Sequence, residues 1–285
     1  MTRKKKKQNT GRYIKWTIVV GLGVAMACSG KLQTYINWDA IKQDAQALFP
    51  ETHSPSPAPE GLEIPLTTSG KQGQIIVHTG HTLAYDSHNK TPQWVAWELT
   101  REETEGQEQR TNIFQPDPNL RNGQVEHSDY THSGYDRGHM APAGDMKWDK
   151  NAMQESFYMS NICPQDHNLN TGRWNDLENK CRTWARKYNK VYVACGPVYQ
   201  GKRNEYIGKR RVKVPDAFFK VILINDTRKQ AALGFYFENK ECTLPLKEYL
   251  LSVDEIEKLT GLDFFSALPD DLENRLEKET LERLP

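Results

Sequence analysis

What this 285-residue chain lacks narrows it quickly. No apolar run reaches the ~20 residues of a comfortable bilayer span. The longest, about Trp16 to Cys28, follows a Lys-rich start and stops short. There is no phosphate-cradling P-loop, no dinucleotide fingerprint and no internal repeat. The cysteines stand at spacings that fit no zinc motif. Net charge is +1, without the overall basic excess of a polyanion binder.

That average hides a strong asymmetry. Seven basic residues precede Trp16, which leaves −6 for the rest of the chain. Within that remainder, residues 171–213 hold twelve Lys or Arg against Asp176, Glu178 and Glu205. Residues 238–285 hold thirteen acids against six bases. Binding a polyanion depends on the local patch, so the basic stretch is a candidate surface, whereas the acidic tail reads as a solvated face.

The basic start and short apolar run over 1–30 have the layout of a secretory signal. Ala25-Met26-Ala27 supplies small residues before a cleavage point, Cys28-Ser29-Gly30 allows a lipidated cysteine, and an uncleaved anchor is the third version. All three export the remainder, which is expected to be periplasmic, secreted or membrane-anchored, with the membrane as a partner if the segment is retained. A weakly amphipathic stretch and the Pro-rich linker Ser54 to Gly61 occupy 31–71, a globular body 72–268, and an acidic helix 269–285. In an exported body, Cys163, Cys181, Cys195 and Cys242 are expected to form disulfides, Cys163–Cys181 with Cys195–Cys242 being preferred over four small buried hydrophobes.

Short β-branched and aromatic runs predict strands at Gln74–His78, Trp94–Leu99, Val191–Cys195, Val212–Val214, Phe218–Ile224 and Ala231–Phe237. Helical patterns fall at Asn151–Tyr158, Asn170–Tyr188, Val253–Leu259 and Asp270–Leu284. Strands on both sides of a long central helix, without βαβ alternation, give an α+β class with a largely antiparallel sheet.

The chemistry concentrates between Asp136 and Arg182. The imidazole of His139 in Asp136-Arg137-Gly138-His139 can accept a proton near neutral pH, and Arg137 can fork a phosphate oxygen. Asp136 either orients that imidazole or pairs with a neighbour. Asn170, Trp174 and Leu177 share a helical stripe, which sets the Asn170 amide oxygen, a hard neutral ligand, at the inner edge of a first turn. The competing roles are a helix N-cap for Asn170 and an ion pair with Arg182 for Glu178.

The run Tyr135 to Asp145, with Glu155 to Asn161, Pro164-Gln165, and Asn170-x-Gly172-x-Trp174-x2-Leu177-Glu178, closely resembles the DNA/RNA non-specific endonuclease family, the ββα-metal nucleases. The resemblance covers about residues 72–266. It implies a His-Me finger fold and hydrolysis of DNA and RNA to 5′-phosphorylated products, with His139 as general base. It implies that Asn170 is the single protein ligand of Mg²⁺ (Mn²⁺ able to substitute) and that Glu178 holds the metal's waters. Arg137 and Arg182 would stabilise phosphate charge, and Asn161 would support the site through hydrogen bonds. One departure stands out: where many members carry Arg, this chain has Glu98, and Arg173 is the candidate replacement. The alternative function is a non-catalytic surface protein that binds nucleic acid with the same fold; the presence of both His139 and Asn170 favours the enzyme.

Overall fold

A sheet covered on both faces needs apolar side chains at successive positions, and runs such as Phe218–Ile224 and Val191–Cys195 supply them. The computed structural model describes residues 61–281 and 283–285. The basic start, the apolar run to Cys28, the amphipathic stretch and nearly all of the Pro-rich linker lie outside the described residues.

Strands β1 (Leu66–Thr67), β2 (Gln74–Val77), β3 (Thr82–Asp86) and β4 (Thr91–Thr100) lead to β5 (Asp136–His139) and helix α1 (Lys150–Glu155). Strand β6 (Ile162–Gln165) is followed by a single turn α2 (His167–Leu169), a π-helical turn over Asn170–Trp174 and helix α3 (Asn175–Tyr188). Strands β7 (Lys190–Val198), β8 (Tyr206–Ile207), β9 (Val212–Lys213), β10 (Ala217–Asp226), β11 (Lys229–Glu238) and β12 (Leu250–Leu251) come next. Helix α4 (Val253–Thr260), strand β13 (Leu262–Asp263) and helix α5 (Asp270–Lys278) complete the order.

The main sheet has seven strands in the order β12-β11-β10-β7-β4-β3-β2, every neighbouring pair antiparallel. Side-chain alternation divides it into two cores. One face carries Val95, Trp97, Val193, Cys195, Phe218 and Ile222, covered by Trp174, Leu177, Cys181 and Trp184 of the π turn and α3. The other carries Trp94, Ala96, Tyr192, Ala194, Phe219 and Val221, covered by Val253 and Ile256 of α4, Phe264, Phe265 and Leu276 of α5. Strands β5 and β6 form a separate two-stranded hairpin above the first face.

The α+β class with a largely antiparallel sheet is the one expected. Three things differ. Strands β1, β3, β5, β6, β8, β12 and β13 were not foreseen. The helix expected from Asn170 opens as a π turn broken at Gly172 and becomes α-helical at Asn175. The third concerns the disulfides: Cys163, Cys181, Cys195 and Cys242 are all free and buried. Cys195 Sγ donates to the Met140 carbonyl at 3.3 Å, and Cys242 Sγ sits 3.8 Å from the Glu238 carbonyl. These thiols act as small apolar side chains of the core, and burial pushes Cys181 and Cys195 up to about 12.

Candidate active site

The hairpin register pairs Asp136 with Gln165, Gly138 with Cys163 and His139 with Ile162. Gly138 is required by close approach: a Cβ there would lie 2.3 Å from Gln165 Oε1. The long loop between the two strands is pinned by Asn161, which is fully buried. Its Oδ1 accepts the Ala141 N–H at 2.9 Å, and its Nδ2 donates to the Ala141 and Ser156 carbonyls, each at 2.8 Å. Asn161 therefore spends its amide on backbone, a positioning role.

His139 is 8% exposed, its ring edge-on to Phe157 at 4.9 Å and tilted against Phe114 at 5.4 Å. Burial among these rings, with the Arg110 charge nearby, lowers its pKa to about 3 despite a hydrogen bond to the Arg137 backbone. Its Nε2 has no partner among the described residues. An uncharged imidazole with an unpaired ring nitrogen is able to accept a proton.

Three contacts bind the hairpin to the helical segment. The Trp174 indole donates to the His139 carbonyl at 3.3 Å, and Asn170 Nδ2 donates to Asp136 Oδ2 at 2.8 Å. Asp136 Oδ2 also takes His167 Nδ1 at 2.9 Å. A carboxylate can only accept, so it fixes the Asn170 amide with nitrogen inward and leaves Oδ1 without a protein partner among the described residues. The N-cap of this segment is Asp166, whose side chain accepts the Asn168 and Leu169 N–H groups. Asn170 is therefore no cap, and Asp136 orients the amide rather than the imidazole.

The charged residues divide less simply. Arg137 hydrogen-bonds the His127 carbonyl at 3.0 Å and its ring Nε2 at 3.1 Å, and lies over Phe114 and Tyr130. Arg182 does not pair with Glu178. It donates to Asp145 Oδ1 at 2.6 Å, while the Trp97 indole holds the other oxygen of that buried carboxylate at 3.1 Å. Glu178 is half-buried, and burial pushes it up to about 7 against the nearby positive charge of Lys220. Lys220 itself is fully buried, its Nζ 4.0 Å from the Trp174 ring centre.

Arg173 does not reach this group: it pairs with Asp176 at 2.6 Å and donates to the Thr243 carbonyl. Glu98 is absent from it too. Paired with Tyr192 across β4 and β7, it lies on the opposite sheet face and forms an ion pair with Lys190 at 2.6 Å. The cation that is present is Arg110, which stacks 5.0 Å from the Phe157 ring centre and donates to Asn112 at 2.7 Å, its charge bearing on both His139 and Glu178. Sequence reasoning missed it because it sits in an irregular Glu- and Gln-rich segment far upstream; Phe114 nearby was the one available cue. Part of the basic stretch is neutralised by the fold, Arg173 by neighbouring Asp176, and Arg182, Lys190 and Arg210 by carboxylates from distant segments.

A hairpin crossed by a helix, with a neutral buried imidazole and an open amide oxygen, defines a metal-dependent nuclease of the ββα class. The chain belongs to the DNA/RNA non-specific endonuclease family, which residues 60–271 match. It is similar to mitochondrial nuclease EXOG of Xenopus laevis, 35% identical over 91% of this chain and 74% of that protein. The human EXOG nuclease is 36% identical over 67% of this chain, which spans 56% of its length. Human mitochondrial endonuclease G is 33% identical over 67% of this chain and 69% of that protein. A crystal structure of an EndoG/EndoGI complex superimposes with a TM-score of 0.65 at 31% identity, over 69% of this chain and 87% of that one.

These relatives overturn the expectation of export. They are mitochondrial nucleases and point to a mitochondrial location. Among the described residues no helix is long and apolar enough to cross a membrane.

Proposed function

We propose that the protein is a Mg²⁺-dependent endonuclease that hydrolyses DNA and RNA to 5′-phosphorylated products, acting in mitochondria as its named relatives do. The observation that carries this reading is the pairing of an unpartnered His139 Nε2 with an Asn170 Oδ1 left open by Asp136. The donor set fits the metal: a hard, neutral amide oxygen suits an ion that keeps most of its water, and no cluster of three His, Cys, Asp or Glu ligands stands there among the described residues. Asn170 would hold the ion, with the Glu178 carboxylate facing its waters; when bound, Mg²⁺ supplies neutralisation of charge on the phosphate and leaving oxygen.

His139 removes the proton of the attacking water at Nε2. Burial keeps the ring uncharged beforehand, and packing against Phe114 and Phe157 holds it in place. Arg110 and Arg137, held over aromatic rings, hold phosphate oxygens and stabilise charge as it develops. Arg182 acts through Asp145, fixing the wall beside Glu178. Contacts of this type go to the backbone rather than to base edges, so cleavage discriminates little between sequences.

The test is digestion of closed circular plasmid and of RNA by the full chain with Mg²⁺, with EDTA, and with His139→Ala. Plasmid without ends must be opened and then fragmented, and EDTA must stop it. His139→Ala is expected to lose about 10²–10⁴-fold in rate with DNA binding retained. Unchanged turnover in the variant overturns the general-base assignment, and binding without any cleavage by the wild type establishes a non-catalytic protein.

A further inference from the structure

The acidic C-terminal segment does not spread all its charge over solvent. Asp254 and Glu257 lie three residues apart on α4, and Glu277 comes from α5. One side-chain oxygen from each lies within 4.8 Å of the other two. Glu277 is 6% exposed, and its Oε1 has neither solvent nor a hydrogen-bond partner among the described residues. Asp263 and Glu273 add further negative charge around it. No Lys or Arg forms an ion pair with these five among the described residues. Burial and this repulsion push Glu277 up to about 9 and Glu257 up to about 7.

Packing like charges beneath a helix is costly unless something neutralises them. The neighbouring carboxylates have ordinary roles: Glu255 closes the capping box of α4 with Ser252, and one oxygen of Glu257 accepts the Phe264 N–H at 2.8 Å. Nothing comparable accounts for the buried oxygen of Glu277. We propose that Asp254, Glu257 and Glu277 bind a divalent cation of the calcium type, which clamps α5 to α4. The donors are all hard oxygens, which excludes a thiolate- or imidazole-loving metal. Three protein carboxylates in one cluster favour Ca²⁺, which takes six to eight oxygen ligands, over Mg²⁺, which keeps several waters and takes only one or two carboxylates. Beyond this cluster, α5 is anchored chiefly by Leu276 and Leu272. The site lies on the sheet face opposite Asn170, so it stands or falls independently of the nuclease reading.

The experiment uses the full chain, stripped with chelator and returned to constant Mg²⁺, with CaCl₂ added in calorimetric titrations and thermal melts. A hundredfold excess of Ca²⁺ over its Kd is expected to raise Tm by about 5–10 °C. Glu277→Gln and, separately, half-exposed Asp254→Asn should remove the shift and the binding heat while plasmid digestion proceeds at the wild-type rate. Asn170→Ala should keep the shift, which separates this site from the catalytic one. The proposal is overturned if the wild type shows no calcium response, if the response survives Asp254→Asn, or if lowering the pH alone stabilises the stripped protein while calcium does nothing. That last pattern means the carboxylates share protons instead.

Discussion

Asp136 shows how a residue's role depends on what lies across from it. Its carboxylate could have served the imidazole three residues on, but it turns the Asn170 amide. Asp136→Ala should leave the fold intact and raise the Mg²⁺ needed for half-maximal cleavage, because the amide loses its fixed orientation; an unchanged Mg²⁺ titration counts against that role. His81 offers a pH test. It is buried with neither ring nitrogen hydrogen-bonded, and burial, with His78 and His139 beside it and only Asp117 opposing, lowers it to about 3. A base whose folded pKa lies below its unfolded value of ~6.5 contributes fully above pH 6.5, and that stability is lost as pH falls towards 3. Urea denaturation of His81→Phe should therefore show a pH dependence about 1.4 kcal/mol per unit shallower than the wild type's between pH 6 and 4. Of the catalytic candidates, His139 and Asn170 were legible because their types carry the chemistry wherever they sit. Arg110 was not, since one arginine in an irregular segment resembles any other until Phe157 and His139 surround it.

The working element is the hairpin joined to the helical segment. Its helix was readable from the stripe of Leu177, Cys181, Trp184, Ala185 and Tyr188. Its strands were not: Asp-Arg-Gly-His and Ile-Cys-Pro-Gln show no alternation, and they pair across a long loop. That loop keeps its shape through Asn161, whose three side-chain hydrogen bonds all close on backbone. Asn161→Ala leaves those buried groups unpaired and is expected to cost on the order of 3 kcal/mol in urea denaturation. Activity should fall through displacement of His139, and a fully stable but inactive variant would instead argue for direct participation. Glu98 teaches the same lesson on a strand. A residue next to Trp97 in sequence lies on the opposite face of the sheet, paired with Lys190 and away from His139 and Asn170.

Across the whole molecule, the sheet separates two groups of carboxylates, Asp145 with Glu178 on one face, beside Arg182 and Lys220, and those of α4 and α5 on the other. The four thiols of the described residues are distributed through the core as well. Their even count suggested cross-links only because the chain was expected to be exported. With mitochondrial relatives and buried, unpaired sulfurs, native protein should react with a thiol reagent slowly, and four thiols beyond Cys28 should appear on denaturation without reductant. Recovery of fewer would indicate a bridge. Part of the local charge excess over 171–213 is offset as well, since folding brought carboxylates from distant segments to Arg182, Lys190 and Arg210.

By itself the sequence determined the class: residue types suited to phosphodiester hydrolysis at family spacing, and apolar patterning that commits the chain to a two-faced antiparallel sheet packed with helices. Those follow from side-chain chemistry and local periodicity, which need no knowledge of distant partners. Tertiary structure alone decided which carboxylate turns which amide, which arginine lies near the imidazole, that the cysteines stay apart, and that acids from two helices meet in a partly buried cluster. Each of these depends on groups far apart along the chain, brought together and desolvated by packing that no local pattern encodes.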